Sequence, residues 1–422
     1  MSFRLEVRAA LRADGRVVAP AVWRVDGGRT RALEALPRPG AELLDAVLVP
    51  GLVNAHAHLD LAGARALPAA GPFTDWLLAV GGVRGDGRDV EAAARGQAQA
   101  LAQRGVTAIG DIDASSGRAT AGRRQAALGG LSYLEIVGVQ RDGARARLAQ
   151  SLALIDRLGG GSRCFGLSPH APYSVNAEVL PEIARAARWR GLRLAMHLAE
   201  TVDETRYLLH GDGPFVDFLR TIGRGAPFSA PPRMRPIALA EQAGLLAAGC
   251  VVIHGNDLDD DDVARLAAHR SSVVYCHGTH GHFARPLHRL PELLAAGVNV
   301  ALGTDSGLSN LRVDLLDELR RLHADRPELD PLALLRCATW GGRVALQHEP
   351  AAALLQPGSP ADALLLSAPP DAERCSAQEL AHWALSHAAQ PLLTFHAGSA
   401  AGPCDGLPPP LTAFLDTTLG HR

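Results

Sequence analysis

The chain contains no lysine: every one of its 42 Lys+Arg residues is arginine. A Schiff-base lysine, a pyridoxal-phosphate enzyme and a Walker A phosphate loop all require lysine, so all three are excluded. Cysteine is sparse. The six cysteines (164, 250, 276, 337, 375 and 404) are scattered, with no CxxC pair, and read as reduced, mostly structural thiols of a cytoplasmic protein. Charge of one sign is also lacking. A net charge of -2 argues against a chain held to nucleic acid or anionic lipid by bulk charge. No apolar run approaches the ~20 residues that span a bilayer, and Met-Ser-Phe-Arg-Leu-Glu-Val lacks the basic-then-apolar pattern of a signal peptide. The partners expected are therefore a small-molecule substrate and a second copy in a homodimer, with neither nucleic acid nor membrane.

What is present suits a packed globular enzyme. Of 422 residues 47% are hydrophobic and 20% charged, enough for one large domain and a smaller one. Apolar segments at 47–53, 105–112, 131–139, 164–169, 192–198, 249–254, 271–276 and 298–304 each end where polar residue types begin. Continuous Val/Ile/Leu runs without polar alternation are what a parallel sheet buried on both faces demands. Helices are predicted between them at 90–104, 144–158, 177–190, 259–269 and 312–325. Alternating strand and helix over ~250 residues fits an α/β (β/α)8 TIM barrel, although a doubly wound sheet alternates in the same way. The flanks, 1–48 and 350–422, read as short strands such as 4–10, 16–25 and 361–367, punctuated by Gly and Pro. They predict one small β-sandwich-like domain built from both chain ends around a barrel at 49–349.

Four motifs fall at the C-terminal ends of predicted strands, the face where barrel enzymes place their chemistry. Asn54-Ala55-His56-Ala57-His58 follows the first strand. Residues i and i+2 of an extended segment point the same way, so His56 and His58 can present two imidazoles to one ion. His197-Leu198-Ala199-Glu200 ends the fifth strand, His254 the sixth, and Gly303-Thr304-Asp305-Ser306 the eighth. Each residue taken singly suits a hydrogen-bonded structural role as well as a ligand. Taken together, histidines and an aspartate at one end of four barrel strands point to a metal. Neutral imidazoles with one carboxylate suit Zn2+, with Fe2+ and Mn2+ as alternatives.

These motifs, with Pro50-Gly51-Leu52-Val53 before them, resemble the amidohydrolase superfamily, and more narrowly its cytosine deaminase/chlorohydrolase-type branch. The resemblance runs through most of the chain. It takes in Ser168-Pro169-His170-Ala171-Pro172-Tyr173, Cys276, and the stretch from Leu355 to Asp362. Many members hold two metals bridged by a carbamylated lysine, which this chain cannot supply. The resemblance therefore implies the mononuclear subtype, with His56, His58, His197 and Asp305 on one divalent ion.

The reaction expected is hydrolysis by water whose pKa the ion lowers from ~16 toward ~7. Asp305 also accepts the nucleophile's proton, as the resemblance implies. Glu200 is placed to protonate a substrate ring nitrogen and then the leaving group, and His254 to hydrogen-bond the developing oxyanion. His170, His280 and Trp76 are the expected substrate contacts, Trp76 through the resemblance of Phe73-Thr74-Asp75-Trp76-Leu77. Two departures from the branch pattern stand out. Branch members commonly read Cys-Pro-x-Ser-Asn after the seventh strand, whereas this chain has His277 for the Pro and Thr279-His280 for Ser-Asn. The stretch 81–86 also lacks the Glu that holds ribose hydroxyls, and only Asp86 could substitute. Deamination of a modified purine nucleoside (aminodeoxyfutalosine-like) or of a free base is the favoured expectation. Loss of chloride or alkylamine from a triazine-like ring, or opening of a cyclic amide, is the second. A catalytically silent metal-binding relative is the third.

Overall fold

Unbroken Val/Ile/Leu runs become a parallel sheet because only a strand covered on both faces can bury them entirely. The computed structural model describes residues 2–35, 42–68, 71–223, 225–402, 407 and 409–416; Cys404 lies outside these, and Cys164, Cys250, Cys337 and Cys375 form no disulfide. The barrel strands are Leu52–Ala57, Val106–Asp113, Gly129–Ile136, Phe165–Pro169, Arg193–Leu198, Cys250–His254, Ser272–Tyr275 and Asn299–Leu302. They pair in chain order as one 8-stranded sheet. Leu194 lies opposite Cys250 and Leu198 opposite His254, so the fifth and sixth strands end level with each other. The first and last strands meet where Ala57 bridges Asp305. There the amides of Thr304 and Asp305 both donate to the His56 carbonyl, at 3.0 and 3.1 Å. Gly303 permits that approach, since a Cβ on it would stand 2.8 Å from the His56 Cβ. The result is a nearly closed (β/α)8 barrel with helices around it.

The helices form with ends moved by a few residues, as Val90–Gln103, Arg141–Leu158, Leu180–Arg190, Asp260–Ala268 and Leu315–Asp325. The Asp-rich start is a capping box: Asp259 accepts the Asp262 amide at 2.8 Å, and Asp262 accepts the Asp259 amide at 3.2 Å. The apolar run 47–53 needs correction, because it is two strands rather than one. Leu44–Pro50 belongs to a second sheet, and the barrel begins only at Leu52. Gly51 is the break. Its amide donates to Asp362 at 3.1 Å, and any Cβ there would sit 2.4 Å from the Thr107 side chain. Hydrophobicity alone does not mark such a switch.

That second sheet is also 8-stranded and draws on both chain ends. It comprises Ser2–Leu11, Val17–Val18, Ala21–Asp26, Arg29–Glu34, Leu44–Pro50, Ala363–Ser367, Pro391–His396 and Ser399–Ala401. Phe3, Trp23 and Phe395 form its aromatic centre, with ring centroids 5.2–5.6 Å apart. Burying a side chain of Phe size contributes roughly 1.5–3 kcal/mol. The Trp23 indole N–H donates to Thr30 Oγ1 at 3.1 Å, so its one polar atom is satisfied.

The chain divides into two compact units. One is Met1–Asn54, Ala98–Ile109 and Asp314–Arg422, and holds the terminal sheet; the other is Ala55–Gln97 and Gly110–Val313, and holds every candidate site residue. No helix among the described residues is long and apolar enough to cross a membrane.

Candidate active site

His56 lies inside the first barrel strand and His58 one residue beyond its end, so the extended backbone turns both rings to the same side. His58 Nε2 is 3.4 Å from His197 Nε2. Asp305 Oδ1 is 3.6 Å from His56 Nε2 and 3.7 Å from His58 Nε2. His254 joins the cluster: one nitrogen each of His56, His197 and His254 lies within 4.8 Å of the others, as do ligand atoms of His56, His58 and Asp305. Backbone strain aims these groups. His254 and Asp305 hold φ of 72° and 56°, in the left-handed region that non-glycine residues rarely enter.

The cluster suits a cation. Both ring nitrogens of His56 and Nδ1 of His58 are buried without a hydrogen-bond partner among the described residues. A buried polar group left so costs about 1–3 kcal/mol. Burial lowers the His56 pKa and drives His197 and His254 well below the ordinary value, which keeps lone pairs available. Burial acts the same way on His58, but Asp60 and Asp305 outweigh it and leave the pKa raised. Burial would raise Asp305, yet the surrounding imidazoles hold it well below the usual carboxylate range. His197 Nδ1 lies 3.0 Å from the His170 carbonyl. A carbonyl only accepts, so Nδ1 carries the proton and Nε2 faces the cluster as an acceptor. Three imidazoles and a carboxylate form a donor set for a late first-row divalent ion.

Glu200 stands beside this cluster, buried, with Oε1 3.7 Å from His254 Nε2 and 3.7 Å from Arg285 Nη2. Burial pushes its pKa up to about 7, against the pull of the Arg285 cation. The loop that carries it is tied down. Glu204 is fully buried and accepts the amides of Ala199 at 3.2 Å and Glu200 at 2.8 Å. Arg285 is fixed in turn between the rings of Phe73 and Phe283, 5.1 and 5.0 Å from their centroids.

A cavity of about 310 Å³ opens over these residues. His58, His170, His197, Glu200, His254 and Asp305 line its polar end, and Leu61, Phe73, Trp76, Leu77, Val139 and Phe218 form an apolar arm. Trp76 thus reaches the cavity, stacked on Phe73 with centroids 5.6 Å apart. His170 reaches it too, its Nδ1 2.7 Å from Ser174 Oγ, while burial lowers its pKa to about 4. His280 is not among the residues that line the cavity. The residues after the seventh strand wind into the helix His277–His282. This turns His280 Nδ1 to Asn256 Oδ1 at 3.1 Å. Asp86 is likewise turned away, bonded to Arg88 at 2.7 Å; from the same stretch Gly81 and Arg84 line the cavity instead.

Sequence reasoning missed Asp60, Arg84, Glu135 and Arg285. Arg84 Nη1 donates to Glu135 at 2.8 Å and its Nε is 3.5 Å from Asp60. Asp60 Oδ1 is 3.6 Å from His58 Nδ1. Burial opposes ionisation of Glu135, but the Arg84 cation outweighs it and lowers the pKa to about 2. Glu135 did carry a signal, as a lone acid near the end of an otherwise apolar strand. Arg84 and Arg285 had none, because Glu135 and Glu200, the carboxylates they face, are distant in sequence.

Comparison with known proteins agrees with this geometry. The model of the amidohydrolase family matches residues 47–398. The aminodeoxyfutalosine deaminase of Deinococcus radiodurans is 30% identical over 316 residues, covering 73% of this chain and 75% of that protein. The 5-methylthioadenosine/S-adenosylhomocysteine deaminase of Pelotomaculum thermopropionicum is 30% identical over 347 residues, covering 78% and 74%. Helicobacter pylori aminofutalosine deaminase, solved with methylthio-coformycin, superposes with a TM-score of 0.79 at 18% identity over 94% of this chain and 99% of that one. Atrazine chlorohydrolase from Arthrobacter aurescens, solved with zinc, gives 0.77 at 18% identity over 94% and 95%. With the family matched along most of its length, the chain belongs to the amidohydrolase family.

Proposed function

We propose that the chain is a metal-dependent hydrolytic deaminase of an amino-substituted nitrogen heterocycle, such as a modified purine nucleoside or a base, with an apolar substituent. His56, His58, His197 and Asp305 would hold one divalent ion, zinc first among the choices. When bound, the ion supplies Lewis-acid chemistry and lowers the pKa of water at the site toward neutrality. The observation that carries the reading is Glu200, a buried carboxyl with a pKa pushed up to about 7 in the wall of the cavity that the histidine cluster lines. A carboxyl poised there can give a proton to a ring nitrogen and recover one near neutral pH.

The overall change replaces a ring C–NH2 by C=O, consuming one water and releasing one ammonia. Glu200 bonds the ring nitrogen next to the reacting carbon and passes protons to the leaving nitrogen. His254 hydrogen-bonds the oxygen that becomes the product carbonyl, and Asp305 accepts the proton that the attacking water loses. The apolar arm, with Trp76 and Phe73, takes the substituent; the deaminase names of the 30%-identical relatives support an aminopurine as the ring. A barrel over 49–349 and a small domain built from 1–48 and 350–422, in a cytoplasmic homodimer, complete the proposal. Cys164, Cys250, Cys337 and Cys375, none of them in a disulfide, support a reducing compartment. Light scattering at a monomer mass would remove the dimer.

The test is ammonia release from a panel of aminopurines, their 5′-modified nucleosides and aminopyrimidines, using zinc-loaded protein. At least one should yield the oxo product, one mass unit heavier, and metal analysis should give one equivalent per chain. If none releases ammonia while a halogenated triazine or a cyclic amide is hydrolysed, the reaction is not deamination. A second well-occupied metal would overturn the single-ion reading.

A further inference from the structure

Asp305 is held from behind by two hydroxyls. Thr279, in the helix after the seventh barrel strand, places Oγ1 3.0 Å from Asp305 Oδ2, and Ser309 places Oγ 3.1 Å from the same oxygen. The two hydroxyl oxygens are themselves 3.0 Å apart. All three side chains are buried, Thr279 and Ser309 almost completely. Three oxygen–oxygen contacts share two hydroxyl protons, and a carboxylate contributes none. With Asp305 ionised, at least one of these protons points at Oδ2, and the other lies between Oδ2 and the neighbouring hydroxyl. The other oxygen, Oδ1, is left to His56 and His58 at 3.6 and 3.7 Å.

We propose that Thr279 and Ser309 are positioning residues: they occupy Oδ2, present Asp305 to the metal through Oδ1 alone, and thereby set the metal affinity of the site. The proposal rests on Asp305 being a ligand of the cluster described above. One physical effect drives it. Hydrogen bonds to one oxygen fix the carboxylate plane, which removes the rotamer freedom an unsupported aspartate would lose on binding. The departure from Cys-Pro-x-Ser-Asn now has a chemical meaning. Thr279 keeps the hydroxyl where the branch has Ser, while His280, in place of Asn, bonds Asn256.

The experiment measures zinc affinity by competition with a chromophoric chelator, on wild type, Thr279→Val, Ser309→Ala, the double variant and Thr279→Ser. Partners that orient a metal ligand are worth roughly 10–100-fold in affinity, so the double variant should bind zinc at least tenfold more weakly. Thr279→Ser should bind within about threefold of wild type, since it restores the hydroxyl. In cobalt(II)-loaded protein, freeing Oδ2 for a second metal bond should raise the coordination number and weaken the visible absorption. Melting of the metal-free proteins controls for folding, and the single variants carry the test if the double variant fails it. Affinity of the folded variants within twofold of wild type would overturn the proposal. So would equal losses in Thr279→Val and Thr279→Ser, which would assign the effect to packing. A wild type that binds no zinc, cobalt or manganese fails earlier, removing the metal reading and this proposal with it.

Discussion

Glu200 and Asp305 face one cavity with opposite protonation tendencies. Burial lifts Glu200 to about 7, whereas the imidazoles hold Asp305 far below the ordinary carboxylate value. Carboxyls whose environments push them apart can divide acid and base roles within one site. Glu200→Gln keeps size and hydrogen bonding but removes the transferable proton. Turnover should fall about 10²-fold or more while zinc content stays at the wild-type level. Retained turnover would move the proton to another group. These two carboxyls and the histidines were legible in the sequence because each sits at or just past the C-terminal end of a strand, the face where barrel enzymes place their chemistry. Asp60, Thr279 and Ser309 were not, although Asp60 follows His58 by only two residues. Their role comes from what they touch across the barrel mouth, and no local periodicity encodes that contact.

At the scale of the element, the helix Phe73–Arg84 builds one wall of the cavity. Phe73, Trp76, Leu77, Val80, Gly81 and Arg84 all line it, at i, i+3, i+4, i+7, i+8 and i+11, as one helical face requires. The sequence placed Trp76 near substrate only by resemblance, and no helix was predicted there because the segment 73–84 lacks a clear polar face. The wall is chiefly a binding surface, since Trp76 contacts the rings of Phe73 and Phe283 and carries no transferable proton of its own. Trp76→Ala should therefore raise KM for a turned-over amine about tenfold or more while changing kcat less than threefold, the pattern of lost uniform binding. A fall in kcat at unchanged KM would instead place Trp76 against the reacting ring.

For the whole molecule, the barrel was legible because parallel strands covered on both faces leave continuous apolar runs. The terminal sheet was legible only as short strands at both ends. Its order was not, since Leu44–Pro50 pairs with Ala363–Ser367 across most of the chain length. Asp362 anchors that return. It is buried, accepting Arg343 at 2.6 Å and the Ala397 amide at 2.7 Å, with His396 Nδ1 at 3.4 Å. Burial opposes its ionisation, but His396, Arg343 and the amide outweigh burial and depress its pKa below the ordinary aspartate value. A depressed folded pKa contributes stability that is complete above the unfolded value of ~3.9 and is lost as pH falls through it toward the folded one. Asp362→Asn removes that linkage and leaves the Arg343 charge buried without its counter-ion, a change that costs about 3–5 kcal/mol at neutral pH. Urea unfolding of metal-free protein at pH 7 and pH 3 checks this, with both proteins carrying His396→Gln so that the histidine facing Asp362 does not titrate between the two. The variant should be markedly less stable at pH 7, and the gap should narrow at pH 3. A gap that stays constant or widens on acidification would show that Asp362 is not the group whose charge holds the terminal sheet to its helix.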